Sequence, residues 1–109
     1  MEERKPASKV KITILKKLYQ EDLVDEYLLP EKKEGYPPCY RFEAGDTFVV
    51  NGFEMPEGFC PWAWADIHRE VIAVKCNADF PASKDPGCII ASCTDGLRPV
   101  IFKVERLVE

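Results

Sequence analysis

Apolar and polar residues alternate along the first regular stretch of the chain, KVKITILKK at residues 9–17. Val10, Ile12 and Ile14 fall on one side, and lysines and a threonine lie between them. This period of two residues is typical of a strand with one buried face. A second strand is predicted at residues 46–51, after a turn that contains glycine.

Two other stretches repeat apolar residues at helical spacing. The shorter one, residues 20–29, has acidic residues at its start and a proline directly after it. The longer one, residues 61–76, begins with Pro61 in the first turn, where helices accept proline, so Cys60 is the predicted N-cap. Its apolar stripe consists of Trp64, Ile67, Val71 and Val74.

The closing segment, GCIIASCTDGLRPVIFKVERL, predicts a β-hairpin. Its strands lie at residues 88–94 and 98–107, and the Asp-Gly dipeptide between them favours a two-residue turn. In that register Cys93 faces Arg98 at the tip of the hairpin. The apolar residues that share one buried face are then Ile89, Ala91, Val100, Phe102 and Val104.

These elements predict an α+β fold with a single domain at residues 9–109, preceded by a flexible arm at residues 1–8. The four strands are expected to form a largely antiparallel sheet, either open or barrel-like. The helix at residues 61–76 covers one face of the sheet, and the helix at residues 20–29 packs at an edge.

Composition narrows the classes of partner. A chain of 109 residues that is 46% hydrophobic fits one compact core. A net charge of -4 argues against nucleic acid or an anionic membrane as the main partner. The charged N-terminus lacks the apolar core of a signal peptide, and no apolar run approaches the length of a membrane span. We therefore expect a cytoplasmic protein that binds small molecules or proteins.

Five cysteines are present, and thiols of a cytoplasmic chain stay reduced. They are Cys39, Cys60, Cys76, Cys88 and Cys93. No two of them form the C-x2-C pair of a zinc knuckle or a thioredoxin-like motif. If a soft metal such as zinc or iron is bound, the predicted ligands are Cys39, Cys60, His68 and Cys93.

The segment CPWAWADIHREVIAVKC, residues 60–76, is the strongest candidate for a functional site because it holds both tryptophans and the only histidine. A helix N-terminus favours negative charge, so Cys60 is either a reactive thiol or a small apolar residue before the helix. His68 lies one turn beyond Trp64, which predicts that the two rings stack and that His68 borders the apolar stripe. It is either a hydrogen-bonded structural residue or a functional one.

Three hypotheses for function follow. The leading one is a binding pocket between the start of the main helix and the hairpin tip, because a helix N-terminus, indole rings and a guanidinium together suit a planar anionic molecule. The residues predicted to line this pocket are Cys60, Trp62, Trp64, His68, Cys93, Asp95 and Arg98.

The second hypothesis is a thiol-based redox or nucleophilic enzyme. Cys60 or Cys93 is then the nucleophile, the latter activated by its cationic neighbour, and His68 is the acid or base. The third hypothesis is a protein-interaction or homodimer module. Its contact surface is formed by the aromatic residues of PWAW, Trp62 above all, and of GYPPCY.

The FCPWAWADI run and the closing CTDGLRPVIFKVER motif resemble those of a family of small uncharacterised proteins of about this length. KVKITILK, the EDLVDEY helix and the strand that follows AGD have the order expected of that family. The resemblance thus covers nearly the whole chain apart from the N-terminal arm. It implies membership of that family and assigns no residue a role.

Overall fold

The computed structural model describes residues 8–107. Its elements are, in chain order, β1 (Val10–Lys17), α1 (Glu21–Tyr27), α2 (Pro30–Lys33), β2 (Thr47–Val50), α3 (Pro61–Lys75), β3 (Cys88–Ser92) and β4 (Val100–Arg106). The α+β prediction is confirmed, and each predicted element is present with its ends moved by at most two residues. Pro30 follows the end of the first helix, as predicted, and also begins a further short helix. Apart from Ser8, the predicted arm lies outside the described residues.

The four strands form one antiparallel sheet in the order β2-β1-β4-β3. The strands β1 and β4, which are the first and the last in the sequence, are therefore the central pair of the sheet. Ile12 of β1 lies opposite Val104 of β4. In the sheet that residues 8–107 form, β2 and β3 are the two edges, so the sheet is open and the barrel-like alternative is wrong. Four strands are too few to close around a packed interior, and this sheet buries its apolar face against a helix instead.

The hydrophobic core lies between the sheet and α3. The apolar sides of β1 and β4 are buried as their spacing predicted. The predicted stripe of α3 is buried except for Trp64, which is partly buried, and Ala63 is buried in addition. The buried residues of these three elements are Val10, Ile12, Ile14, Val100, Phe102, Val104, Ala63, Ile67, Val71 and Val74. Val50 from β2 and two phenylalanines from loops, Phe42 and Phe59, complete the core. Their ring centres are 5.0 Å apart, and both rings contact Phe102. This core fixes the position of α3 over the sheet.

The predicted hairpin of β3 and β4 is present, but its turn is longer than two residues. The Cys93 N–H donates to the Val100 C=O at 3.1 Å, so the loop spans residues 94–99. The predicted two-residue turn is wrong, and so is the cross-strand pairing of Cys93 with Arg98 that depended on it. Because the register differs by two positions, the predicted apolar side of each strand still faces the core.

Hydrogen bonds of the loop explain its length. A type I′ turn needs a positive φ at both central residues, and neither Asp95 nor Gly96 has one. The Asp95 carboxylate Oδ1 instead accepts the backbone N–H groups of Leu97 and Arg98, both at 3.0 Å. The loop is also held to the chain that follows β1, because the Gln20 N–H donates to the Leu97 C=O at 2.9 Å.

Arg106, the last residue of β4, joins the sheet to the carboxyl end of α3. Its Nη1 donates to the C=O groups of Val74 and Ala78 at 3.2 and 3.1 Å, and its Nη2 pairs with Asp79 at 2.8 Å. These bonds satisfy C=O groups at and beyond the end of the helix. Gly87 lies directly against the guanidinium, since a Cβ at this position would stand 2.8 Å from Nη2.

Lys75, the last residue of α3, is only 2% exposed. Its ammonium group donates to the C=O groups of Ser8 and Asn51 at 2.9 and 3.1 Å, and it lies 5.3 Å from the centre of the Phe53 ring. A buried charge of this kind needs such partners. Lys75 therefore fastens the segment before β1 and the segment after β2 to the same end of α3.

Candidate functional site

The amino end of α3 begins the site. Cys60 is the N-cap, as predicted, Pro61 occupies the first turn, and the Cys60 side chain makes no capping hydrogen bond. Trp62 follows with 67% of its surface exposed. Asp66 is four residues further on and lies on the same side of the helix as Trp62. An indole and a carboxylate therefore project together from the first turns of α3.

Thr94, in the hairpin loop, contacts both of these helix residues. Its hydroxyl oxygen lies 3.1 Å from the Trp62 indole Nε1 and 3.0 Å from each carboxylate oxygen of Asp66. An indole N–H only donates and a carboxylate only accepts, so the hydroxyl accepts from Trp62 and donates to Asp66. The backbone N–H of Thr94 also donates to Asp66 Oδ2 at 2.8 Å. We call these three residues the Asp66–Thr94–Trp62 relay.

Arg98 lies at the other end of the same loop. Its guanidinium stacks on the Tyr36 ring, 4.6 Å from the ring centre, and its Nε pairs with Asp95 Oδ2 at 3.3 Å. Its Nη1 donates to the Pro37 C=O at 3.4 Å. Within residues 8–107 its Nη2 has no hydrogen-bond partner. The guanidinium is thus held in place while part of it stays available to a ligand.

A cleft of about 390 Å³ lies between the relay and this guanidinium, lined by Trp62, Thr94, Asp95, Gly96 and Arg98. This volume is at the lower end of the range of small-molecule sites. The carboxylates of Asp66 and Asp95 already accept hydrogen bonds from the protein. The Gly96 N–H and Arg98 Nη2, by contrast, have no partner in the described part of the chain. The cleft therefore offers an indole and unpaired donors.

Three of the predicted site residues, Trp62, Asp95 and Arg98, come together in this cleft. The others do not line it. Four of them are partly buried and pack against the hydrophobic core, namely Cys39, Cys60, Trp64 and Cys93. The Trp64 ring meets Phe59 edge-on, with centres 6.1 Å apart, so the second indole belongs to the core rather than to the cleft.

His68 contacts Trp64 as predicted, with ring centres 5.2 Å apart, but the rings meet edge-on at 62° and are not stacked. His68 borders the apolar stripe through this contact with Trp64, but the residue itself is exposed. Trp64 is itself only partly buried, so a ring that contacts its outer side lies in solvent. Within residues 8–107 no hydrogen bond joins His68 to a cysteine.

The cysteines are dispersed over the fold. No three His, Cys, Asp or Glu side chains of residues 8–107 are grouped so that they could hold a metal ion, and the predicted ligands Cys39, Cys60, His68 and Cys93 are therefore not brought together. The Cys93 Sγ accepts the Val100 N–H at 3.3 Å, and Arg98 makes its contacts elsewhere. Cys88 is buried, and burial raises the pKa of its thiol above the usual value.

No family model, curated protein or solved structure matches the chain. The resemblance to a family of small proteins therefore stays a prediction. The helices within residues 8–107 are too short or too polar to cross a membrane.

Sequence reasoning missed Asp66, Thr94 and Gly96 as residues at or beside the cleft. One signal was present, because Trp62 and Asp66 are four residues apart, and this spacing puts a donor and an acceptor on one side of a helix. The partner of that pair lies 28 residues further along the chain, and no local pattern identifies it.

Proposed function

We propose that this protein is a small-molecule-binding domain whose cleft takes a planar anionic ligand. The observation that carries the proposal is which polar groups around the cleft already have hydrogen-bond partners and which do not. Both carboxylates are engaged with the protein, while the Gly96 N–H and Arg98 Nη2 are donors without a partner in residues 8–107. A ligand with carboxylate or similar acceptor oxygens satisfies such donors, and bonds of this kind to a guanidinium are strong.

The walls of the cleft favour a flat ligand. The Trp62 indole is largely exposed and lines the cleft, and aromatic rings bind other flat rings by stacking or edge-on contact. On the other side, stacking on Tyr36 and pairing with Asp95 hold the Arg98 guanidinium before any ligand arrives. This prior ordering reduces the conformational entropy lost on binding. The ring of the ligand would thus contact Trp62 and its negative charge would contact Arg98, within one small cleft.

Calorimetric titration with 1-naphthoate tests the proposal, and the uncharged 1-naphthamide is the comparison ligand. We expect the acid to bind more tightly than the amide. Arg98→Gln should weaken 1-naphthoate binding roughly 10- to 150-fold, because a hydrogen bond to a charged group contributes about 1.5–3 kcal/mol. Arg69→Gln is the matched control, since the Arg69 side chain is 90% exposed and does not line the cleft.

Thermal unfolding of both variants shows whether the fold is intact. Equal affinity for the acid and the amide would contradict the proposal, and so would the same loss of affinity in Arg98→Gln and Arg69→Gln.

The cytoplasmic location and the homodimer expected from the sequence stay predictions beside this function. The exposed Trp62 side chain is compatible with either role, since it lines the cleft and is also accessible to a second protein. A native mass above that of the 12.4 kDa chain, lost in a Trp62→Ser variant, would support the homodimer. A mass of one chain at high concentration would contradict it.

A further inference from the structure

We infer that Asp66 and Thr94 are positioning residues that hold the Trp62 indole as one wall of the cleft, and that they thereby make the site selective for ligands with a flat ring. The ligand class in this inference rests on the proposed function. The positioning itself rests on the geometry of the relay and can be tested without a ligand.

The Trp62 ring has few contacts besides its hydrogen bond to Thr94. Two thirds of the residue is exposed, and within residues 8–107 its ring contacts no other aromatic ring. Its one hydrogen bond in that range is the bond from Nε1 to the Thr94 hydroxyl. An exposed side chain normally moves among several rotamers within nanoseconds. The orientation of the indole therefore depends on Thr94.

Thr94 is in turn fixed by Asp66. The Asp66 carboxylate accepts both the backbone N–H and the hydroxyl of Thr94, so the loop and the hydroxyl proton are held by the same group. With its proton directed to Asp66, the hydroxyl presents a lone pair to the indole N–H. Asp66 precedes Ile67, which is fully buried in the core, so the relay starts from a rigid part of α3.

The relay and the donors of the cleft act on different parts of a ligand. The relay positions the indole wall, whereas Gly96 and Arg98 line the cleft with the donors proposed to bind the negative charge of the ligand. Loss of the relay should therefore weaken a ligand that has a ring and spare a simple anion. A residue that only stabilises the fold would affect both ligands alike.

Hydrogen exchange of the Trp62 indole N–H, followed by NMR in the free protein, tests the relay. The chain has two tryptophans, and Trp62→Phe assigns the two indole signals. Thr94→Val removes the acceptor and should speed exchange about 2- to 12-fold, the range expected for one neutral hydrogen bond. Thr94→Ser keeps the hydroxyl and should leave the rate close to that of the wild type. An unchanged rate in Thr94→Val would overturn the inference.

Chemical-shift titrations with 1-naphthoate and with acetate test the selectivity. In Thr94→Val and Asp66→Ala the dissociation constant for 1-naphthoate should rise about 2- to 12-fold, while that for acetate stays within about twofold. Thr94→Ser should restore 1-naphthoate binding. An equal change for both ligands, or no change for either, would overturn the inference. If neither ligand binds the wild type, the proposed function fails, and the exchange rates still decide whether Asp66 and Thr94 position the indole.

Discussion

The contact between Gly87 and Arg106 allows a quantitative prediction about stability. The φ of Gly87 is not positive, so an alanine fits the backbone, and on that ground alone Gly87→Ala would stabilise the protein by up to about 1 kcal/mol. In the folded chain, however, the new methyl group would lie 2.8 Å from Arg106 Nη2 and 3.2 Å from its Cζ. These distances are shorter than van der Waals contact, so the guanidinium has to move.

Movement of the guanidinium breaks the bonds that join β4 to the end of α3. These are the hydrogen bonds to the C=O groups of Val74 and Ala78 and the ion pair with Asp79. A hydrogen bond to a charged group contributes about 1.5–3 kcal/mol, but the Asp79 side chain is 67% exposed, and water replaces part of what is lost there. We expect Gly87→Ala to lower the free energy of unfolding by about 1–3 kcal/mol.

Urea unfolding of a double-mutant cycle measures this effect. Gly87→Ala is made in the wild type and in Arg106→Met, where no guanidinium stands in the way. In the second background Gly87→Ala should be neutral or stabilise the protein by up to about 1 kcal/mol, so the coupling energy between the two sites should be about 1–4 kcal/mol. An equal cost in both backgrounds would refute the clash as the cause. The prediction assumes that the Arg106 guanidinium cannot move and keep its hydrogen bonds. If Gly87→Ala leaves the stability of the wild type unchanged, that assumption is wrong.

Further predictions concern the core and the thiols. Ile67→Ala should lower the free energy of unfolding by about 2–5 kcal/mol in urea, because the residue is fully buried; a loss below about 1 kcal/mol would mean that the site collapses without a cavity. Burial raises the pKa of the Cys88 thiol, so the folded chain keeps a proton that the unfolded chain loses above about pH 8.5. The contribution of the Cys88 thiol to stability is therefore full below that pH and is lost as the pH rises further. Between about pH 8 and 10 the unfolding free energy should fall less steeply in Cys88→Ala than in the wild type. The same slope of unfolding free energy against pH in both proteins would contradict this. Cys76 is exposed and should react with a thiol reagent before Cys88 does, as mass spectrometry of partly labelled protein would show; the reverse order would contradict the burial of Cys88.

The helices and strands could be predicted because they are set by the local periodicity of side chains. The alternation of Val10, Ile12 and Ile14 describes a face that the structure buries, and Pro61 correctly marks the first turn of α3. The hairpin turn could not be predicted in the same way. Its Asp-Gly pair favours a tight turn locally. The loop is longer because its backbone groups form hydrogen bonds with the Asp95 carboxylate and with the chain after β1.

Only part of the candidate site could be predicted from the sequence, because the rest depends on contacts between distant segments. Trp62 and Arg98 were candidates because an indole and a guanidinium are common in binding sites, and the structure places both at one cleft. Asp66 and Thr94 have the composition of an ordinary polar surface, and their importance lies in a contact between segments that are distant in the chain. The burial of Lys75 was missed likewise, because its partners are backbone C=O groups of two separate segments.

The pairing of β1 with β4 has a consequence for how the chain folds during synthesis. A ribosome releases β1 long before β4, yet β1 finds its central neighbour only when β4 has been made. Until then α3 has no complete sheet to cover, and the apolar side of β1 stays accessible to other chains. Such non-local pairing also raises the contact order and slows folding. We therefore expect nascent chains that stop before β4 to need a chaperone, and chains that include β4 to fold in one step once that strand has been made.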